Sequence, residues 1–353
     1  MSLAQRLRER ILEAGPLTVA EYMTLCLHDR ADGYYATRPQ LGEAGDFITA
    51  PQVSQMFGEL IGLWAVDLWD RLGRPAPFRL VEVGPGDGTL MLDALRATRL
   101  VPEFLAAGEL WLVEPSGPLR ALQERRLTEG APRWVAALDQ VPAGAPLILV
   151  ANELLDCLPP RQFVRTGEGW AERRVGLDAE GRLAFGLAPA PNGFEPPFEA
   201  EAGAVVEVSP AQAALGAAIG ARIAHDGGAA LLIDYGRDQP GPGDTLQALK
   251  RHTKVGPLET PGEADLTVHA DFPAVVAAAR SAGAATTPIR SQAAFLQALG
   301  IEARAAALAR ARPDRAETLA RQLARLTSPE EMGVLFKAVA IHTPGLGVPG
   351  FDL

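Results

Sequence analysis

The sequence predicts an α/β protein, a parallel sheet with helices on both faces, and three observations carry that expectation. The stretch Arg79-Leu80-Val81-Glu82-Val83-Gly84-Pro85-Gly86-Asp87-Gly88-Thr89-Leu90 passes from an apolar, β-branched run through three glycines at alternate positions. It continues into Leu90, Met91, Ala94 and Leu95 at helical spacing, which reads as strand, tight loop and helix. From Phe78 onward, strand-like and helix-like segments alternate, the rhythm of βαβ crossovers. Finally, several strand-like runs deliver polar residues at their carboxyl ends, where open α/β sheets bind ligands.

Taken in order, residues 1–30 read as two helices. Leu3, Leu7, Ile11 and Leu12 form one apolar face, Pro16 interrupts, and Thr18 caps Val19–His28 with Glu21 in the capping-box position. Breaks follow at Asp32-Gly33-Tyr34-Tyr35 and at Gly42, Gly45 and Asp46, and a long apolar helix is expected from Ser54 to Leu72. The linker Gly73-Arg74-Pro75-Ala76-Pro77 places a helical N-terminal lid element at 1–76 and the main core at 77–353. Core strands are expected at Phe78–Val83, Glu109–Val113, Arg133–Ala136, Pro146–Val150 and Ala229–Asp234, with a late pair at Thr286–Ile289 and Val334–His342. Helices are expected at Leu90–Ala97, Pro118–Leu127 and Ala211–His225, and again within the Ala/Leu/Arg-rich 291–328. Residues 161–207 break the rhythm and read as an antiparallel insertion, with strands at 163–165, 170–175 and 182–186. Residues 236–270, rich in Gly, Pro, Asp and Thr, read as an active-site loop.

Composition removes several classes of function. The chain has 353 residues, with 48% hydrophobic and 22% charged, as in an ordinary soluble globular protein. A formal net charge of -10 opposes broad attraction to nucleic acid or an anionic membrane. Two cysteines, Cys26 and Cys157, form neither a disulfide framework nor a zinc cluster, and the five histidines lack metal-ligand spacing. No secretory signal is expected, and Glu9 and Glu13 argue against a transit peptide. No apolar run approaches the ~20 residues of a membrane span. The expected location is the cytoplasm.

The glycine loop has two functional readings. It could seat the pyrophosphate of a dinucleotide at a helix N-terminus, or the amino-acid end of S-adenosyl-L-methionine (SAM). A dinucleotide fold expects its ribose-binding acid about 20 residues past the glycines. Here the next strand ends at Glu114, 30 residues after Gly84. Asp87 within the loop, and Glu82 before it, would repel a pyrophosphate and attract an ammonium group. Both features favour SAM, with Glu114 gripping the ribose hydroxyls. The fourth strand delivers Asn152, Glu153 and Asp156 to the same edge. Asn152 could orient an acceptor and Glu153 could grip a cationic one, although Asn152 and Asp156 also suit a turn cap. The fifth strand ends in Asp234 and Tyr235, and His269 lies in the loop beyond. Asn152, Glu153, Asp234 and His269 are therefore the candidate catalytic residues.

With these motifs assembled, the chain resembles the MidA-type SAM-dependent methyltransferases, which include a mitochondrial complex I assembly arginine methyltransferase. The matching stretches are Gly33-Tyr34-Tyr35, residues 45–59, residues 82–88, Glu114-Pro115-Ser116, residues 151–156, residues 233–236, and Asp265-Leu266-Thr267 with His269, Asp271 and Phe272. Gln52 stands where an acidic residue is expected and Val53 replaces isoleucine, which leaves the cofactor reading intact. The resemblance implies a seven-stranded, Rossmann-like class I methyltransferase core. It also implies that Gly84, Gly86 and Glu114 hold SAM, with the Asp46–Thr49 segment closing over it; Gly88 and Asn152 complete the expected cofactor contacts. The product would be S-adenosyl-L-homocysteine, and the acceptor an arginine, symmetrically dimethylated, in a complex I core subunit. Two other readings stay open: a nicotinamide-dependent oxidoreductase, and a SAM-binding complex I assembly factor without catalysis.

Overall fold

The computed structural model describes residues 1–37, 49–196 and 198–352. Its centre is a mixed sheet formed by β1 (Phe78–Val83), β2 (Gly108–Val113), β3 (Arg133–Val135), β4 (Leu147–Asn152), β5 (Gly228–Arg237) and β6 (Phe336–His342). The spatial order is β6-β5-β4-β1-β2-β3, and the short segments Ala285–Thr286 and Arg290–Ser291 share a seventh position beside β6. β1 to β5 run parallel, whereas β6 runs antiparallel to β5. The expected parallel sheet is present in β1 to β5, and the last strand joins it antiparallel.

Period-two alternation sorts the strand side chains into two cores. Leu80, Leu110, Ile148, Leu231 and Ala340 pack toward helices Gln55–Arg71 and Thr89–Thr98. Val81, Val113, Leu149, Leu232 and Ile341 pack toward helices Pro210–Asp226 and Phe272–Ser281. β4 is buried along its whole length, which is why its sequence reads as an unbroken apolar run. The helix Gln55–Arg71 contributes Phe57, Leu60 and Trp64 to the same core as β1. Among the described residues, no helix is long and apolar enough to cross a membrane.

At the N-terminus the Thr18 cap forms as expected. Its hydroxyl accepts from the Glu21 amide at 3.0 Å, and the Glu21 carboxylate accepts from the Thr18 amide at 2.7 Å. Leu3, Leu7 and Ile11 are buried, but Leu12 is 75% exposed, because it sits one residue, or 100°, off the apolar stripe. The insertion contains strands Arg161–Thr166, Gly169–Leu177 and Leu183–Pro189, and a further strand, Val205–Val208, pairs with the first. Residues 236–270 are not an irregular loop throughout: Gln247–Lys250, Thr253–Val255 and Asp265–Thr267 make a small antiparallel sheet. The helix Phe272–Ser281 lies beyond the sequence expectations, although its signal is present. Asp271 caps it from the side chain, and Pro273 follows in the first turn.

Candidate active site

The carboxyl ends of β2, β1, β4 and β5 open onto one cavity of about 900 Å³. That is the upper range for a small-molecule site. At β1, Gly84, Gly86 and Gly88 have φ of 70°, 54° and 82°, left-handed conformations that an L side chain resists. Gly84 and Gly86 line the cavity; Gly88 is not among its lining residues and turns the chain into helix Thr89–Thr98. A Cβ at Gly84 would stand 2.9 Å from Leu154 Cδ1, so the loop packs directly beneath the β4 turn.

Glu82 lines the cavity and is 2% exposed, with its Oε2 buried and unpartnered among the described residues. Burial, with Asp87 and Glu114 as neighbours, pushes its carboxyl up to about 8. Asp87 also lines the cavity, but its charge is already answered. One oxygen accepts from the Thr89 amide at 2.9 Å, and the other pairs with Arg126 at 2.5 Å. Its most direct role is to cap the helix, and the expected attraction for a ligand ammonium falls to Glu82.

At β2, Glu114 is buried on the cavity wall, and burial raises its carboxyl against the hydrogen bonds it accepts. Oε1 accepts from the Ser116 amide at 2.8 Å and Oε2 from Gln123 Nε2 at 3.1 Å. Each oxygen keeps lone-pair capacity for a ribose hydroxyl. Gln123, absent from the sequence candidates, is fully buried and braces the site. Its Nε2 also donates to the Gly86 carbonyl at 2.7 Å, and its Oε1 accepts from Trp134 Nε1 at 2.9 Å. Its position on an ordinary amphipathic helix offers no signal that would have singled it out.

At β4, Asn152 and Glu153 both line the cavity. Asn152 Nδ2 donates to Glu153 Oε1 at 2.9 Å, and Asn152 Oδ1 is buried and unpartnered among the described residues. Glu153 sits at φ 51°, a strained position for a non-glycine residue and one that marks functional turns. Its Oε1 also accepts from the Ala50 amide at 3.0 Å, tying β4 to the short helix Ala50–Val53 that Thr49 caps. Burial pushes Glu153 up to about 7. Thr49 and Gln52 line the cavity, while Asp46 lies outside the described residues.

Asp234 and His269 are not among the cavity's lining residues. The Asp234 carboxylate is turned into the protein, accepting from the amides of Leu155, Asp156 and Tyr235 at 2.8, 3.1 and 2.8 Å. It shapes the β4 turn from below. His269 packs edge-on against Tyr235 at 5.7 Å, and burial holds its pKa down. The structure thus brings Glu82, Glu114, Asn152 and Glu153 to one cavity and puts Asp234 and His269 behind it.

The donor set fits SAM. The orphaned oxygen of Glu82 suits an ammonium, Glu114 suits the ribose, and the glycines admit close approach of the backbone. A glycine loop at the central strand with a carboxylate ending its neighbour defines a class of Rossmann-like, cofactor-binding enzymes. Comparison with known proteins narrows the class. Residues 60–289 match a family described as "Putative S-adenosyl-L-methionine-dependent methyltransferase". "Protein arginine methyltransferase NDUFAF7, mitochondrial" of Rattus norvegicus is 36% identical over 399 residues, covering 99% of this chain and 90% of that one. Its Homo sapiens counterpart is 36% identical, covering 96% and 83%. A crystal structure from Burkholderia thailandensis, bound to S-adenosyl-homocysteine, superposes with a TM-score of 0.84 at 30% identity, covering 99% of this chain and 92% of that one.

The chain belongs to this SAM-dependent methyltransferase family. Its cofactor is SAM and its reaction class is methyl transfer, which sets the nicotinamide reading aside.

Proposed function

We propose that the protein methylates arginine side chains of a protein acceptor, and that the acceptor is a core subunit of respiratory complex I, symmetrically dimethylated. The observation that carries this reading is Glu153. It stands in the cavity with Oε1 fixed by Ala50 and Asn152, while Oε2 makes no hydrogen bond among the described residues. Near-full-length similarity to proteins named protein arginine methyltransferases supports it. Arginine stays protonated and presents a planar fork of donors, which a buried, backbone-anchored carboxylate can receive.

When bound, SAM supplies the electrophilic methyl group. The chain's own residues bind and orient. Gly84, Gly86, Glu82 and Glu114 hold the cofactor, Thr49 lies over it, and Gly88 starts the helix behind it. Asn152 and Glu153 align the acceptor nitrogen, most of the gain coming from fixed geometry. The loss of one proton per methyl falls to the buried carboxylates beside the acceptor. In this reading residues 1–76 cover the site, 77–353 form the catalytic core, and the protein acts in the cytoplasm. The deciding experiment is mass spectrometry of complex I subunits from cells with and without the protein. Loss of a dimethylated arginine in the deletion is expected; unchanged arginine methylation defeats the proposal.

A further inference from the structure

We infer that Asp156, oriented by Tyr235, is the second carboxylate of the acceptor subsite and holds the cationic side chain to be methylated. This rests on the arginine reading above, in which that cation is a guanidinium. The strand order places the subsite. Adjacent strands stand roughly 4.8 Å apart, so the cavity runs about 14 Å from Glu114 at β2, past the glycines at β1 and Asn152 at β4, to Tyr235 at β5. With the ribose at Glu114 and the glycine loop at β1, the β4–β5 end is left for the acceptor.

That end is built of acceptor oxygens. Asn152 is 9% exposed, and its Oδ1 is buried and unpartnered among the described residues. Glu153 offers Oε2, and Asp156, 8% exposed, lines the cavity three residues further on. No Lys or Arg pairs with Glu153 or Asp156 among the described residues; Arg30, which also lines the cavity, bonds to neither. Buried carboxylates without a cation are costly, and burial accordingly raises the carboxyls of both. A guanidinium, with five N–H donors in a fixed fork, satisfies two carboxylates and a carbonyl together.

Asp156 is held from both ends. Its amide donates to Asp234, and its Oδ2 accepts the Tyr235 hydroxyl at 2.7 Å. The Tyr235 ring is fixed edge-on by His269 and by Phe336 at 5.3 Å. Asp234 and His269 thereby act on the acceptor through Asp156 and Tyr235, as positioning residues.

The test is calorimetry on the full chain saturated with S-adenosyl-L-homocysteine, titrated with the Nα-acetyl methylamides of arginine, lysine and citrulline. Wild type is expected to bind the arginine probe and not the neutral citrulline. Asp156→Asn keeps the shape and is expected to weaken the arginine probe ~10-fold or more while its affinity for S-adenosyl-L-homocysteine holds. Tyr235→Phe removes a hydrogen bond that favours the Asp156 carboxylate, so its acid limit for probe binding should move to higher pH, a shift that a merely structural role would not produce. Equal arginine binding by Asp156→Asn and wild type overturns the proposal, as does citrulline binding as tightly as arginine, or wild type binding none of the probes. A lysine probe bound through Asp156 in place of arginine supports the subsite and overturns only the arginine reading.

Discussion

Gln123→Met removes the amide that joins three parts of the cofactor site while nearly preserving side-chain length and volume. In the native fold this amide meets the Gly86 carbonyl, Glu114 Oε2 and Trp134 Nε1 at 2.7, 3.1 and 2.9 Å. The Gly86 carbonyl borders the cavity, where water can replace the lost donor. The Trp134 indole N–H and the Glu114 oxygen are less easily satisfied, and each buried group left unmatched costs about 1–3 kcal/mol. The expected destabilisation is therefore about 3 kcal/mol, a large part of a typical stability of about 5–15 kcal/mol.

Urea unfolding at pH 7 measures the loss, and calorimetry with S-adenosyl-L-homocysteine measures its effect on the site. Because Gly86 and Glu114 share this brace, the affinity should fall about 10-fold or more. Glu124→Ala is the control: its partner Arg120 is a half-exposed i,i+4 pair, worth about 0.3–0.5 kcal/mol. If Gln123→Met stays within ~1 kcal/mol of wild type and binds S-adenosyl-L-homocysteine unchanged, the brace has been misassigned.

On the proposed assignment of Glu114 to the ribose, Glu114→Ala removes two charge-assisted hydrogen bonds, about 3 kcal/mol together, and should weaken S-adenosyl-L-homocysteine about 100-fold by calorimetry; undiminished affinity sinks the ribose assignment. Glu82 is raised from its ordinary 4.5 to about 8, so the folded chain keeps a proton that the unfolded chain releases. Its contribution to stability is full below pH 4.5 and is lost as pH rises toward 8. Glu82→Gln should flatten that decline in urea midpoints between about pH 5 and 8, by an amount on the order of a few kcal/mol; equal slopes in the two proteins refute it. Glu153→Ala should speed hydrogen exchange at the Ala50 amide roughly 10-fold, the value of one lost hydrogen bond, whereas Glu153→Gln should retain protection. Equal exchange in both variants removes Glu153 as the tether of the Thr49–Val53 segment.

The inner strands of the central sheet were legible because both faces are covered there, so β4 and β5 read as nearly unbroken apolar runs, whereas the edge strand Arg133–Val135 is only partly covered. Phe78–Val83 forms with the boundaries the sequence predicts. Signals weakened where structure depends on distant pairing. Gln247–Lys250 pairs with Asp265–Thr267 across a Gly- and Pro-containing span, and neither strand is long enough to show a period. Val334 and Leu335 are apolar yet lie 48% and 45% exposed in a short helix before β6. There the hydrophobic run overshot the strand, because apolarity marks burial only on average.

The site divided along the same physical line. Chemical type and position at a strand end were readable, so Glu82, Glu114, Asn152 and Glu153 could be named from the sequence. How each charge is satisfied was not, because the partners arrive through tertiary packing. Asp87 shows the consequence. Its position beside the glycines made it look like a ligand for an ammonium, but Arg126 reaches it from the helix Gly117–Arg126 and neutralises it. Among the described residues Glu82 has no such partner, and its buried Oε2 is orphaned. Glu82 is, among the described residues, the acid of this loop left without a cation, which is why it, and not Asp87, is the candidate for the cofactor's ammonium. The same criterion separates Asp234 from Glu153. Three backbone amides satisfy Asp234 from within, so it supports the turn. Glu153 lines the cavity with an oxygen that nothing among the described residues engages, which fits the acceptor contact proposed for it.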